Sequence, residues 1–249
     1  MTAVFVHGVP ETPSVWDVVR ERLDVDSVAL HLPGFGIPRL PRLTDNEAYA
    51  AWLADQLAEM TGPIDLVAHD WGAHLAIRAV SAYDVPVRSW VCDVAEAWHP
   101  DFVWHEGAQV IQSEHGREFL TTLRTSPEML AGFLEPRGIN AHVMADIAQT
   151  VDEVMTDTMY LLYRDATPNF YAYKDWGHRM EQVSGVPGLV VAPEEDPYGD
   201  VELSRQTAER LGAQFVRLPG KSHYWMHQDP DAAVQLLNTF WRGIDRHGG

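Results

Sequence analysis

Short apolar runs alternate with amphipathic stretches along the first ninety residues. Ala3 to Val6 is continuously apolar and ends at His7-Gly8-Val9-Pro10, the pattern of a central strand buried on both faces. Val15 to Leu23 carries apolar residues at helical spacing, with Ser14 placed to cap it. Ser27 to His31 reads as a second strand, closed by the Leu32-Pro33-Gly34-Phe35-Gly36 turn. A helix running to Met60, capped by Asn46 or Thr44, turns Tyr49, Trp52, Leu53 and Leu57 to one side. Ile64 to Ala68 is the next strand, a helix runs from Gly72 to about Ala82, and Val87 to Val94 is a further strand. Strands and helices alternating at this pace predict an α/β protein with a mostly parallel sheet flanked by helices.

The rhythm then breaks. Between Ala95 and Ser184 no central strand is evident, and Phe102–Val110, Arg117–Arg124, Ile147–Tyr163 and Phe170–Gln182 read as helical or mixed pieces rich in Trp, His, Tyr and Met. An aromatic helical insertion that leaves and rejoins a sheet has the character of a lid over a crevice. The α/β pattern resumes with a strand at Gly188–Ala192, a helix at Val201–Leu211, a strand at Gln214–Leu218 and a closing helix at Ala232–Ile244. The predicted organisation is a core from 1–94 and 185–249, interrupted by a helical lid at 95–184. His247-Gly248-Gly249 is expected to fray.

Charge narrows the function. The formal net charge of −18 repels phosphate backbones, which argues against a nucleic-acid partner. The single cysteine, Cys92, sits in an apolar run and excludes an intrachain disulfide. The first residues carry neither a basic region nor a long apolar tract, so a cytoplasmic protein without a membrane span is expected. Homo-oligomerisation is left open.

The strand, turn and helix at Leu66-Val67-Ala68-His69-Asp70-Trp71-Gly72-Ala73 have the form of a nucleophile elbow, which would lift Asp70 to the sheet edge. A carboxylate there can displace a leaving group from carbon and leave an ester for water to cleave. The plainer alternative is that Asp70 only caps the following helix. His223, on a loop just past the last strand, is placed to activate that water. An acid between them in the chain would orient the imidazole, and Asp196 is the best placed among Glu194, Glu195 and Asp200. Asp93, at the end of the preceding strand, is the competing acid. The Val9 and Trp71 amides could form an oxyanion hole, with His7 and His69 bracing their loops. No spacing matches a closed metal set, and Gly34-Phe35-Gly36 lacks the later glycine of a dinucleotide fingerprint, so neither metal nor cofactor is expected.

Ala68-His69-Asp70-Trp71-Gly72, His7-Gly8-Val9-Pro10, Asp196 and His223 together resemble the α/β-hydrolase superfamily, specifically its epoxide hydrolase and haloalkane dehalogenase branch with an Asp nucleophile. Two departures stand out: Ala68 replaces the usual glycine two before the nucleophile, and the chain starts on what is normally the third strand. The resemblance implies a small electrophilic substrate with water as co-substrate. For epoxide opening it implies tyrosines that hold the leaving oxygen: Tyr171, in Pro168-Asn169-Phe170-Tyr171, with Tyr163, in preference to Tyr160, as the second. For a dehalogenase it implies a halide held by the indole of Trp71 and a second from Trp98, Trp104 or Trp176, with Asp93 the acid in a haloacid variant. Trp71, Tyr160 and Trp104 are the substrate-lining residues so implied. A third expectation is a non-catalytic binding protein on the same scaffold, with a filled crevice.

Overall fold

The computed structural model describes residues 2–180 and 185–247. Six strands form one sheet: β1 (Thr2–Val6), β2 (Ser27–Leu30), β3 (Ile64–Ala68), β4 (Val87–Cys92), β5 (Gly188–Pro193) and β6 (Gln214–Leu218). Their order is β2-β1-β3-β4-β5-β6, and every neighbouring pair is parallel. The chain adds β2 on one side of β1 and β3 onward on the other, so the order of the strands switches between β1 and β3, where Val6 pairs with Ala68. In open parallel sheets such a switch point opens a crevice at the carboxyl ends of the strands. The His7–Glu11 loop and the His69–Trp71 turn both leave their strands there.

Helices cover the sheet as parallel strands require, since a backbone crossing from one sheet end to the other must pack somewhere. The first of them differs from expectation. Pro13 opens a 3₁₀ turn to Trp16, capped by Thr12 rather than Ser14, and α1 (Asp17–Arg20) is short. Next, α2 (Asn46–Ala58) is capped by Asp45, whose Oδ1 accepts from the Ala48 amide at 2.8 Å. That frees Asn46, wholly buried, for a role described below. The apolar α3 (Trp71–Ala82) is buried along almost its whole length against β1, β3 and β4.

Between β4 and β5 the described residues are helical: α4 (Glu106–Gln112), α5 (Gly116–Thr125), α6 (Pro127–Leu134), α7 (Ala141–Thr150), α8 (Glu153–Asp165) and α9 (Trp176–Arg179). The expected helix Ile147–Tyr163 is two, because the backbone turns extended at Val151 and Asp152 caps the second by accepting from the Met155 amide at 2.8 Å. The end of the piece expected at Phe170–Gln182 and the expected fraying of Gly248-Gly249 lie outside the described residues. α10 (Val201–Leu211), α11 (Trp225–Gln228) and α12 (Pro230–His247) complete the chain. Cys92 is buried and unpaired, and among the described residues no helix is long and apolar enough to cross a membrane.

Candidate active site

At Asp70 the chain turns from β3 into α3 with φ 51° and ψ −122°, a conformation that costs a non-glycine residue roughly 1–3 kcal/mol. Such strain persists only where the surroundings enforce it. Two glycines make the room. A Cβ on Gly72 would lie 2.6 Å from the His7 carbonyl, and one on Gly8 would lie 2.3 Å from Asp70 Oδ1. The strained turn therefore brings the carboxylate against the β1 loop, where the Val9 amide donates to Oδ1 at 2.8 Å. The Trp71 amide opens α3 and has no acceptor within the helix, yet it makes no hydrogen bond to this carboxylate.

His223 comes from the loop after β6. Its Nε2 stands 3.8 Å from Asp70 Oδ2, and its Nδ1 shares a hydrogen bond of 2.8 Å with Asp196 Oδ2. Asp196 in turn accepts from the Tyr198 amide at 2.9 Å through its other oxygen. Burial disfavours charge on His223, but the charge and hydrogen bond of Asp196, with Asp70 adding to them, together raise its pKa above the ordinary histidine value. Burial likewise raises the pKa of Asp70, against the pull of His223. Asp70, His223 and Asp196 thus form a connected row, two of its members wholly or nearly buried.

Asp93 is not the partner of His223. Its Oδ1 accepts from the Asp70 amide at 2.9 Å, and its Oδ2 meets His69 Nδ1 at 2.6 Å and the Trp225 indole at 2.8 Å. With both oxygens engaged, Asp93 secures the elbow from beneath. His69 lies between Asp93 and Glu11, its Nε2 at 3.2 Å from Glu11 Oε1. Burial opposes protonation of His69, but the two carboxylates together raise its pKa well above the usual range. Against the burial that opposes its charge, the same pairing holds Glu11 down to about 2. Glu11 also accepts from the Gly8 amide at 2.7 Å, so this buried ion network fixes the loop that presents Val9. On the far side His7 donates from Nδ1 to the Gly8 carbonyl at 2.8 Å, its Nε2 accepting from the Leu32 amide at 3.1 Å. Glu11, His69 and His223 have ligand atoms within 4.8 Å of one another. A protonated His69 has no lone pair to offer a cation, and this cluster is better accounted for as the ion network.

A narrow cavity opens over Asp70 and His223. Tyr163 and Trp104 line it, as the resemblance implies, and so do Tyr198 and Arg137, which sequence reasoning missed. Tyr198 stands two residues after Asp196, and that proximity is the signal by which it could have been found.

Three expected substrate contacts fall elsewhere. Phe170 takes the inward position, stacked on Trp98 and Trp176, and the chain turns Tyr171 away. The Tyr171 ring lies under the Arg210 guanidinium at 4.9 Å and beside Gly177, outside the cavity. Tyr160 is on the outer side of α8, its ring 4.3 Å from the Arg117 guanidinium and 5.6 Å from that of Arg164. The Trp71 indole packs behind Tyr163 at 4.3 Å and donates to buried Asn46 Oδ1 at 3.0 Å, so it does not line the cavity. The N–H of Trp104 is also engaged, with the Ala166 carbonyl at 3.1 Å, and that of Trp176 with Glu47 at 2.6 Å.

A parallel sheet with an acidic side chain on a strained strand-to-helix turn, a histidine past the last strand and an acid between them defines a hydrolase-type α/β protein. The chain belongs to the Alpha/beta hydrolase family, whose model matches residues 3–236. No curated protein sequence matches it. Among solved structures it is similar to an epoxide hydrolase from Bacillus megaterium, with a TM-score of 0.77 at 16% identity over 97% of this chain and 93% of that one. A haloalkane dehalogenase DbeA loop variant from Bradyrhizobium elkanii gives 0.74 at 16% identity over 100% and 91%. A thermophilic esterase from Thermogutta terrifontis gives 0.69 at 20% over 98% and 90%.

Proposed function

We propose that this hydrolase opens a small epoxide to a diol through a covalent ester on Asp70, beneath a lid formed by the helices α4 to α9. One observation carries the reading. Asp70 Oδ1 is already held by the Val9 amide, while Oδ2 faces His223 at the cavity. Oδ2 is then the oxygen that attacks carbon, forming the C–O ester bond as the epoxide C–O bond breaks. The opening oxygen takes a proton from a tyrosine hydroxyl. Water gives a proton to His223 Nε2 and attacks Asp70 Cγ, and the negative charge that develops on Oδ1 is met by the Val9 amide. Collapse expels the diol's oxygen and restores the carboxylate, and the proton on His223 returns to the tyrosinate through the product or solvent.

Tyr163 and Tyr198 support the opening of an epoxide over the release of a halide. Both line the cavity, and the Tyr198 hydroxyl is buried there beside the Arg137 guanidinium. Burial first, and then the Asp70 carboxylate, raises the pKa of Tyr163 well above its ordinary value, which keeps its proton available as a donor. A halide cradle would need indole N–H groups at the cavity; those of Trp71 and Trp104 are committed to Asn46 and Ala166, and that of Trp98, which has no partner among the described residues, does not line it. A panel of short epoxides and chloroalkanes tests this directly. Diol formation is expected, with Tyr163→Phe losing about 10²-fold or more in kcat/KM on epoxides. Halide release without diol formation would overturn it.

The second half-reaction should carry a pH signature. The base must be neutral, and Asp196 holds the His223 pKa up, so the acid limb of ester hydrolysis lies above the ordinary histidine value. Asp196→Asn removes the raising charge. Its acid limb is expected to move to lower pH while the plateau rate falls roughly 10²- to 10⁴-fold. Single-turnover pH–rate profiles check this, and an unmoved limb would remove Asp196 from the role.

A further inference from the structure

One cation on the cavity wall is not used by the chemistry above. Arg137 follows α6 in the helical segment, and it lines the same cavity as Asp70 and His223. It is not a wandering surface side chain. The Tyr224 amide, next in the chain to His223, donates to the Arg137 carbonyl at 3.0 Å, which ties its backbone to the catalytic loop. The Asn140 amide donates to His227 Nδ1 at 3.2 Å and secures the same stretch three residues on. The guanidinium packs against two neighbouring rings, 4.5 Å from the centroid of Phe133 and 4.6 Å from that of Tyr198, the two centroids lying 6.1 Å apart. One terminal nitrogen donates to the Phe133 carbonyl, and Nε is buried with no acceptor. Among the described residues it has no carboxylate partner within ion-pair distance, in a chain of net charge −18.

A largely buried guanidinium that meets no carboxylate is costly unless something with negative charge completes it. Its neighbours do not supply that charge. Glu96 shares the cavity, but its carboxyl is fully buried and accepts from the Ser204 hydroxyl; burial pushes its pKa to about 8. His105 is a further donor on the wall: its Nδ1 accepts from the Ala108 amide at 3.2 Å, which places the proton of the neutral ring on Nε2. Burial, with His223 and Arg137 nearby, depresses its pKa to about 4, so it is a neutral donor. We infer that Arg137, assisted by His105, binds a carboxylate carried by the substrate, so that the enzyme takes short epoxy acids in preference to neutral epoxides. Planar, forked N–H groups match a carboxylate better than any other small anion-binding side chain does. The narrow cavity keeps the carboxylate within a few bonds of the carbon that Asp70 attacks.

The substrate class rests on the epoxide reading, whereas the anion subsite does not, and the experiment separates them. Isobutyrate and isobutyramide, both unreactive, are titrated calorimetrically into the wild type, Arg137→Gln, Arg137→Lys and Asp70→Asn proteins. Isobutyrate is expected to bind the wild type at least tenfold more tightly than the amide, and Arg137→Gln to erase that preference. Arg137→Lys should restore part of it, and Asp70→Asn should tighten isobutyrate by removing a repelling charge. In parallel, kcat/KM is measured for an oxirane carboxylate and the matching oxirane carboxamide. The carboxylate-to-amide ratio should fall at least tenfold in Arg137→Gln. Binding that depends on Arg137, with neither oxirane turned over, would uphold the subsite and defeat the epoxide reading. Turnover of both oxiranes, with no carboxylate preference in binding or rate, would defeat the subsite alone.

Discussion

Asp70→Asn is expected to abolish turnover, with kcat falling by roughly 10⁴-fold or more, while the fold is retained. The two halves of that expectation have separate causes. The amide oxygen of Asn can still accept from the Val9 amide, as Asp70 Oδ1 does, and Asn tolerates positive φ better than most residues. The elbow therefore survives. What is lost is the anionic Oδ2 that faces the cavity, and a neutral amide does not displace an alkoxide from carbon. Activity assays with thermal melts of both proteins check this, and activity that returns slowly during storage would mark deamidation back to Asp. Wild-type turnover in freshly prepared variant would remove the nucleophile from the account.

His223→Gln is expected to separate the two half-reactions. Attack by the Asp70 carboxylate on carbon needs no base, so ester formation continues, slowed only by the lost imidazole contact 3.8 Å away. Hydrolysis of the ester needs a proton acceptor for water, and without one it slows by about 10²- to 10⁴-fold. A stoichiometric burst followed by very slow turnover is the predicted trace. Asp93 and Glu11 do not replace the base, because both already hold His69. Equal slowing of burst and steady state would place His223 in the first step instead.

The strands and the outer helices were legible because local signals agree there. α10 runs from Val201 to Leu211 as its pattern predicts, with Asp200 accepting from the Leu203 amide at one end and Gly212 at positive φ at the other. The elbow and the order Asp70, Asp196, His223 were equally visible, since each residue lies in the loop or turn just past a strand and strand ends meet at one sheet edge. What the sequence hides is which side of a helical segment faces the cavity. Tyr171 and Phe170 are adjacent, and only packing against Trp98 and Trp176 decides that Phe170 turns inward. Nothing near Trp71 in the chain shows that Asn46, twenty-five positions away, claims its indole. Arg137 lies in a stretch where the pattern predicts no element, and the Tyr224 amide that ties it to the site comes from the other end of the chain.

The central claim is a covalent bond to Asp70, and intact-protein mass spectrometry of His223→Gln after exposure to an epoxide tests it most directly. The account predicts a gain equal to the whole epoxide mass on one site per chain, mapped by digestion to the peptide containing Asp70 and absent from the Asp70→Asn, His223→Gln double variant. An unmodified chain from a preparation shown to turn over epoxide before the substitution, or an adduct on any other residue, would contradict it.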